Sequence, residues 1–224
     1  RAISFSQVVN LVQPSSYIPW YLLADEAAGD PHATSPLLAG NHYGLQLGQL
    51  VHAVLERVEF SDAAGAARWS ELLAPQYVDE RVAEAAREAA DLSKRFLSSP
   101  RARALAEATV VRREVDFLLP WPIPGKTSYY FNCVIDCLYQ DAGGYWHVLD
   151  YKSNQTTPED VSMTAAGYEI QMFVYASIVT QVSGTAPRES VLFFLRPGIE
   201  YAFSWDASQR SSMERKINEA IARL

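Results

Sequence analysis

Residues 131–152 read FNCVIDCLYQDAGGYWHVLDYK, two runs rich in aromatic and β-branched residues on either side of a turn supplied by Asp141, Gly143 and Gly144. That pattern predicts an antiparallel hairpin. Side chains alternate across a strand, so Val134, Asp136 and Leu138 are expected on one face of the first strand, and Val148, Asp150 and Lys152 on one face of the second. If residues 141–145 form the loop, Gln140 pairs with Trp146 and Asp136 falls opposite Asp150, with side chains about 5 Å apart. Two like charges at that spacing repel. Lys152 offsets some of the repulsion, and a divalent cation would offset the rest. Taken alone, Asp150 and Lys152 at alternate positions also fit a solvated strand edge or a simple ion pair.

The other segments decide between these readings. Residues 48–59, GQLVHAVLERVE, carry a helical apolar pattern that sets Gly48, His52 and Glu56 at four-residue spacing on one side. His52 is therefore a candidate metal ligand, the alternative being a buried histidine satisfied by a backbone partner. Residues 112–119, RREVDFLL, predict a strand that carries Glu114, either a further ligand or a strand-end charge. Residues 167–181, GYEIQMFVYASIVTQ, predict a helix on which Tyr168, Gln171 and Tyr175 form one stripe. The plain account of that stripe is a helix edge with buried rings and wet hydroxyls.

Around these lie elements without assigned chemistry. Ser4 or Ser6 can cap a first helix, an aromatic segment follows at Tyr17 to Leu23, and residues 27–41 read as a loop. Residues 63–108 are alanine-rich and predict surface helices with breaks near Pro75 and Pro100. Arg112 and Arg113, with Arg101 and Arg103, make the most basic local region, either phosphate contacts or ordinary exposed arginines. Two strands, 190–195 and 199–205, and a closing amphipathic helix from 207 to 224 complete the chain.

With 224 residues, 49% of them hydrophobic, the chain can bury one good core and is read as a single domain. Within it, residues 1–108 are expected to be mainly helical and carry His52, and residues 109–224 to be α/β and carry the acids. No run is apolar enough to span a membrane and no signal peptide is evident, so a cytoplasmic protein is expected. Cys133 and Cys137 sit at the same parity on one strand, too extended to bridge, and are expected as core residues facing away from the acids. The net charge of -7 and pI near 5.1 argue against nucleic-acid binding through the general surface. DNA would then have to meet a local site or be delivered by a neighbouring domain.

This order of motifs resembles the RecB-type nuclease domain of the PD-(D/E)xK superfamily, found in RecB and AddA helicase–nucleases and in related exonucleases. Gly48, His52, Leu55 and Glu56 match its first motif, and Glu114 with Phe117 the next. Ile135 and Asp136, then Asp150, Tyr151 and Lys152, match the catalytic pair of motifs, and Gln171 with Tyr175 the last. Cys133 replaces a usual glycine and Ile135 the eponymous proline, and neither change removes a ligand. The resemblance implies a restriction-endonuclease-like α/β fold, in which helices flank a mixed central sheet containing the hairpin. It implies a Mg2+- or Mn2+-dependent deoxyribonuclease, an exonuclease by kinship, acting in DNA repair or recombination within a larger helicase–nuclease.

On that basis His52, Asp136, Asp150 and the Tyr151 carbonyl would hold metal, with Glu114 as a further candidate. Lys152 would position the water or offset negative charge, Gln171 would orient Lys152 or the substrate, and Tyr175 would touch the DNA backbone. The four cysteines that hold an iron–sulfur cluster in some members have no counterpart, so no cluster is expected. The competing readings are a nuclease-like fold that only binds DNA or a helicase, and a hydrolase or structural domain unrelated to nucleic acid.

Overall fold

The computed structural model describes residues 2–3, 42–121 and 129–223. The expected N-terminal helix, the segment Tyr17 to Leu23 and the loop 27–41 lie outside these residues. A six-stranded mixed sheet forms the centre. Its strands are β1 (Ala2–Ile3), β2 (Val110–Trp121), β3 (Tyr129–Gln140), β4 (Trp146–Lys152), β5 (Glu189–Phe194) and β6 (Ile199–Phe203). Among the described residues the α-helices are α1 (His42–Arg57), α2 (Gly65–Tyr77), α3 (Val82–Leu97), α4 (Pro100–Ala106), α5 (Val161–Ala166), α6 (Glu169–Ser183) and α7 (Ala207–Ile221).

The hairpin has the expected register, with Gln140 opposite Trp146 and Cys137 opposite Leu149. β4 then pairs in parallel with β5 through a connection that contains α5 and α6, and β6 returns antiparallel at the edge. β2 runs antiparallel to β3 along nearly its whole length, from Val110–Gln140 to Trp121–Tyr129. Two apolar clusters occupy the two faces of the sheet. One joins Leu138, Val148, Leu192 and Phe194 to α5, α6 and α7; the other joins Tyr139, Leu149, Tyr151, Val191 and Phe193 to α1, α2, α3 and α4. β4 and β5 are buried on both faces, which explains their nearly continuous hydrophobic sequence.

Strict alternation fails at one place. In β3, Phe131, Cys133 and Ile135 pack with the α5–α7 cluster, whereas Cys137 and Tyr139 pack with the α1–α4 cluster. In β2, Val115, Phe117 and Leu119 belong to the first group and Val111 to the second. The register is unbroken on both sides, Arg113 opposite Cys137 and Val115 opposite Ile135, so the faces exchange by local backbone rotation and not by insertion. Glu114, with φ 48°, is the pivot. The two cysteines are both buried and free, but they face opposite layers, which corrects the expectation that they share one.

Of two expected helix breaks, one changes and one holds. Pro75 does not break its helix; it lies in the last turn of α2, where the carbonyl it leaves without a donor is that of exposed Glu71. The break near Pro100 is present: α3 ends at Leu97 and Pro100 starts α4 as its first residue, behind Ser99, whose hydroxyl accepts from the Ala102 N–H at 3.2 Å.

A polar clasp ties α4 to the sheet. The Arg101 guanidinium, 14% exposed, reaches Glu189 at 2.8 Å, Glu200 at 2.7 Å and the Tyr139 hydroxyl at 2.7 Å. Burial opposes its charge, but the two carboxylates outweigh burial and keep it protonated. Replacing Arg101 with Ala removes this partner from Glu200 and the buried phenol and leaves Glu189 with His147, 3.4 Å away. The expected loss is about 2 kcal/mol, below that for a fully buried pair because both acids keep about a third of their surface in water. Urea denaturation measures it; an unchanged midpoint would rule the clasp out as a stabilising element.

Candidate active site

The hairpin ladder stops one pair short of the acids. Beyond Cys137–Leu149 the strands separate, and the Asp136 carboxylate accepts the Tyr151 backbone N–H at 2.7 Å where a ladder bond would otherwise form. Asp136 and Asp150 are both buried, at 9% and 1% exposure. They serve different neighbours. Asp150 faces Lys152, with Oδ2 2.8 Å from Nζ, and lies 3.4 Å from the Gln171 amide nitrogen. Asp136 faces His52, with Oδ1 3.5 Å from Nδ1.

α1 delivers His52 across the face exchange. Glu114 approaches the same imidazole, its Oε1 3.8 Å from Nδ1, so His52, Glu114 and Asp136 present donor atoms all within 4.8 Å of one another. A nitrogen and two carboxylate oxygens suit a divalent cation that prefers hard ligands and keeps open positions for water. The positive φ of Glu114 is strained for a side chain of this kind, and it is found where the carboxylate meets the cluster. The imidazole Nε2 lies 3.1 Å from the Tyr151 carbonyl. In this geometry that carbonyl orients the ring, and it stays within reach of the same imidazole that joins the donor cluster.

Electrostatics separate the two acids. Burial acts to raise the Asp136 carboxyl, but His52, Lys152 and the Tyr151 N–H outweigh it and hold it below the usual carboxylate range. Asp150 moves the other way: burial and the Asp136 charge push it from 3.8 to about 7 against the pull of Lys152. For His52, burial would lower the imidazole, yet Asp136 and Glu114 carry it well above its ordinary range. A pocket that strengthens protonation of a half-buried histidine is one that attracts a cation.

Gln171 and Tyr175 arrive from α6. The Gln171 amide oxygen accepts from Lys152 Nζ at 3.3 Å while its nitrogen donates to the Tyr175 hydroxyl at 2.8 Å. That hydroxyl donates in turn to the Val134 carbonyl. Tyr175 is 2% exposed, and burial followed by the charges of Asp150 and Asp136 keeps its phenol protonated. Its hydroxyl thus orients Gln171 and is not wet, a departure from the helix edge expected. The Arg113 guanidinium reaches the carbonyls of Leu55, Glu56 and Val58 at 3.2, 2.7 and 2.7 Å and lies over the Phe60 ring at 3.9 Å. A cation at the C-terminal end of α1 is well placed to cap it. Arg113 thus anchors the helix that carries His52. Arg112 stays exposed.

Beside these groups lies an open cleft of about 670 Å³, lined by Gly48, His52, Glu114, Tyr151 and Lys152 among others. A Cβ at Gly48 would lie 3.1 Å from the Ser153 hydroxyl, so glycine lets α1 approach the chain leaving β4. Tyr168 also lines the cleft and holds Lys152 Nζ 4.1 Å from its ring centroid, a role not expected from the sequence. Its place three residues before Gln171 on the helical stripe was the available signal. His147, of opposite parity to the acids, points elsewhere, stacking on Tyr139 and lying 2.9 Å from Asp141.

Comparison with known proteins agrees with this architecture. Two curated relatives are subunits of ATP-dependent helicase/nucleases: that of Acetivibrio thermocellus is 23% identical over 163 residues, and that of Lysinibacillus sphaericus 24% identical over 160. Each match covers 67% of this chain but 13% of the relative, so the chain spans only a small fraction of their length. A crystal structure of a candidate exonuclease from Eubacterium rectale superposes over 99% of this chain and 79% of that one, with a TM-score of 0.57 at 13% identity, which shows the shared fold. Residues 20–224 match the profile of the PD-(D/E)XK nuclease superfamily, and the chain belongs to that family.

Proposed function

We propose that this chain is a divalent-metal-dependent deoxyribonuclease domain that hydrolyses phosphodiester bonds, acting as an exonuclease within a larger cytoplasmic helicase–nuclease of DNA repair or recombination. The observation that carries the reading is the His52–Glu114–Asp136 donor cluster set beside the buried Asp150–Lys152 pair, with His52, Glu114 and Lys152 lining one cleft. The helicase/nuclease relatives support the partner assignment. Among the described residues no helix is long and apolar enough to cross a membrane.

His52, Glu114 and Asp136 would hold Mg2+ or Mn2+, with Asp150 completing the site once ionised. When bound, the cation supplies a water of lowered pKa and a counter-charge for the phosphate. The protein's own groups do the rest. Lys152, held between Asp150 and Gln171, offers an ammonium to the attacking water or the developing negative charge. Gln171, fixed by Tyr175, keeps that ammonium aimed. The Tyr151 N–H and carbonyl fix Asp136 and His52 respectively, so one peptide segment positions two ligands. Exposed Arg112 is a candidate for a phosphate contact from its strand.

Cleavage of single- and double-stranded DNA with Mg2+ or Mn2+, with a chelator as control, tests the reading. Asp150→Ala and Lys152→Ala are each expected to lower the rate by at least about 100-fold, the scale for loss of an aligned charge in a preorganised site. Metal-dependent cleavage at the wild-type rate in either variant would sink the assignment.

A second expectation follows from the charges. Asp150, raised to about 7, binds a proton in the folded metal-free protein that the unfolded chain does not hold above its ordinary 3.8. Its contribution to stability is therefore present at low pH and lost as pH rises through about 7. A bound cation must displace that proton and the one on His52, so metal stabilises the fold more at high pH. The rise in melting temperature on adding Mn2+ should be larger near pH 8 than near pH 6. Equal shifts at both would show that these protons do not compete with metal.

A further inference from the structure

The Lys152 ammonium is held from three directions. Asp150 Oδ2 lies at 2.8 Å, the Gln171 amide oxygen at 3.3 Å, and the ring centroid of Tyr168 at 4.1 Å. The first two are acceptors that take N–H bonds. The third is a π face, which attracts the cation without accepting a proton or carrying a charge. An ammonium on a four-carbon stem has several rotamers within reach of a single carboxylate. A ring on a further side removes the positions in which the amine would swing away from the cleft.

Tyr168 is built for that placement. It is 4% exposed and sits at the junction between α5 and α6, after Gly167, with φ -100° and ψ 1° at the start of the second helix. Its N–H donates to the Ala165 carbonyl at 2.9 Å and its own carbonyl accepts from Met172 at 3.0 Å, so the backbone under the ring is pinned on both sides. The break between the helices brings the ring into the cleft wall, and Gln171 follows at the next position of the same stripe. One short stretch thus supplies both an amide and an aromatic face to a single lysine.

We propose that Tyr168 is a positioning residue whose ring face fixes the direction of the Lys152 ammonium in the cleft. It rests on Lys152 serving the phosphodiester chemistry proposed above. What matters is the ring and not the hydroxyl, so Tyr168→Phe keeps the function and Tyr168→Leu, which still fills apolar space, loses it.

Two measurements test this in the whole chain. The lysines are Lys94, Lys126, Lys152 and Lys216, few enough to assign the Lys152 side-chain resonances by comparison with Lys152→Arg. A ring beneath the amine displaces the Lys152 Cε protons upfield in the wild type and in Tyr168→Phe, and Tyr168→Leu returns them toward the other lysines. In the cleavage assay with Mn2+, Tyr168→Leu lowers kcat about 30-fold, the rate equivalent of a desolvated cation–π contact, with KM within about twofold, and Phe restores kcat.

Unmoved resonances in Tyr168→Leu overturn the proposal, as does a Phe variant that loses as much kcat as Leu, which would assign the effect to the hydroxyl. Equal Mn2+-induced thermal shifts in all three proteins exclude damage to the metal site as the cause. If the wild-type protein cleaves no DNA, the nuclease reading fails, and the resonances alone decide whether Tyr168 holds Lys152.

Discussion

The bond from the Tyr151 backbone N–H to the Asp136 carboxylate is the constraint on which the site depends. It stands where the β3–β4 ladder ends, and it replaces a backbone partner with a side chain. A buried N–H left unpaired would be costly, so the carboxylate must stay in place, and it must stay ionised to remain a good acceptor. The separation of the strands in turn frees the Tyr151 carbonyl to meet His52. A single peptide segment therefore fixes a carboxylate on one side and an imidazole on the other.

The second structural condition is the exchange of faces at Glu114 and Asp136. Regular alternation would send neighbouring side chains of β3 to fixed layers throughout and confine the acids to one of them. Rotation at Glu114 moves the β2–β3 pair from one apolar cluster to the other while leaving the register intact. The site sits at that crossing, open to α1 from one layer and α6 from the other. Arg113, next to the pivot, binds the end of α1 and so couples the position of His52 to the strand that carries Glu114.

The polar groups around Lys152 show how two acids coexist in a buried place. Asp136 is held ionised by cations and an N–H, Asp150 is pushed toward neutrality, and the lysine sits between Asp150 and Gln171. The cations and the N–H thus settle one charged carboxylate where two would repel. On the reading proposed above, recognition of a phosphate would be local to the cleft, which the net acidity of the chain allows.

Much of this was legible in the sequence. The hairpin, its loop and its register followed from β-branched runs around a glycine turn, and the motifs at His52, Asp136, Asp150, Lys152 and Gln171 named groups that the fold brings together. These are local signals: period two, period 3.6 and turn chemistry act over a few residues. What only the tertiary structure decided is how distant groups share their bonds. Tyr175 spends its hydroxyl on Val134 and Gln171, Arg113 caps a helix that ends far earlier in the chain at Arg57, and Tyr168 lies under the lysine. Whether a tyrosine or an arginine faces substrate or serves a neighbour depends on which polar groups burial leaves unpaired nearby, and no short-range pattern encodes that.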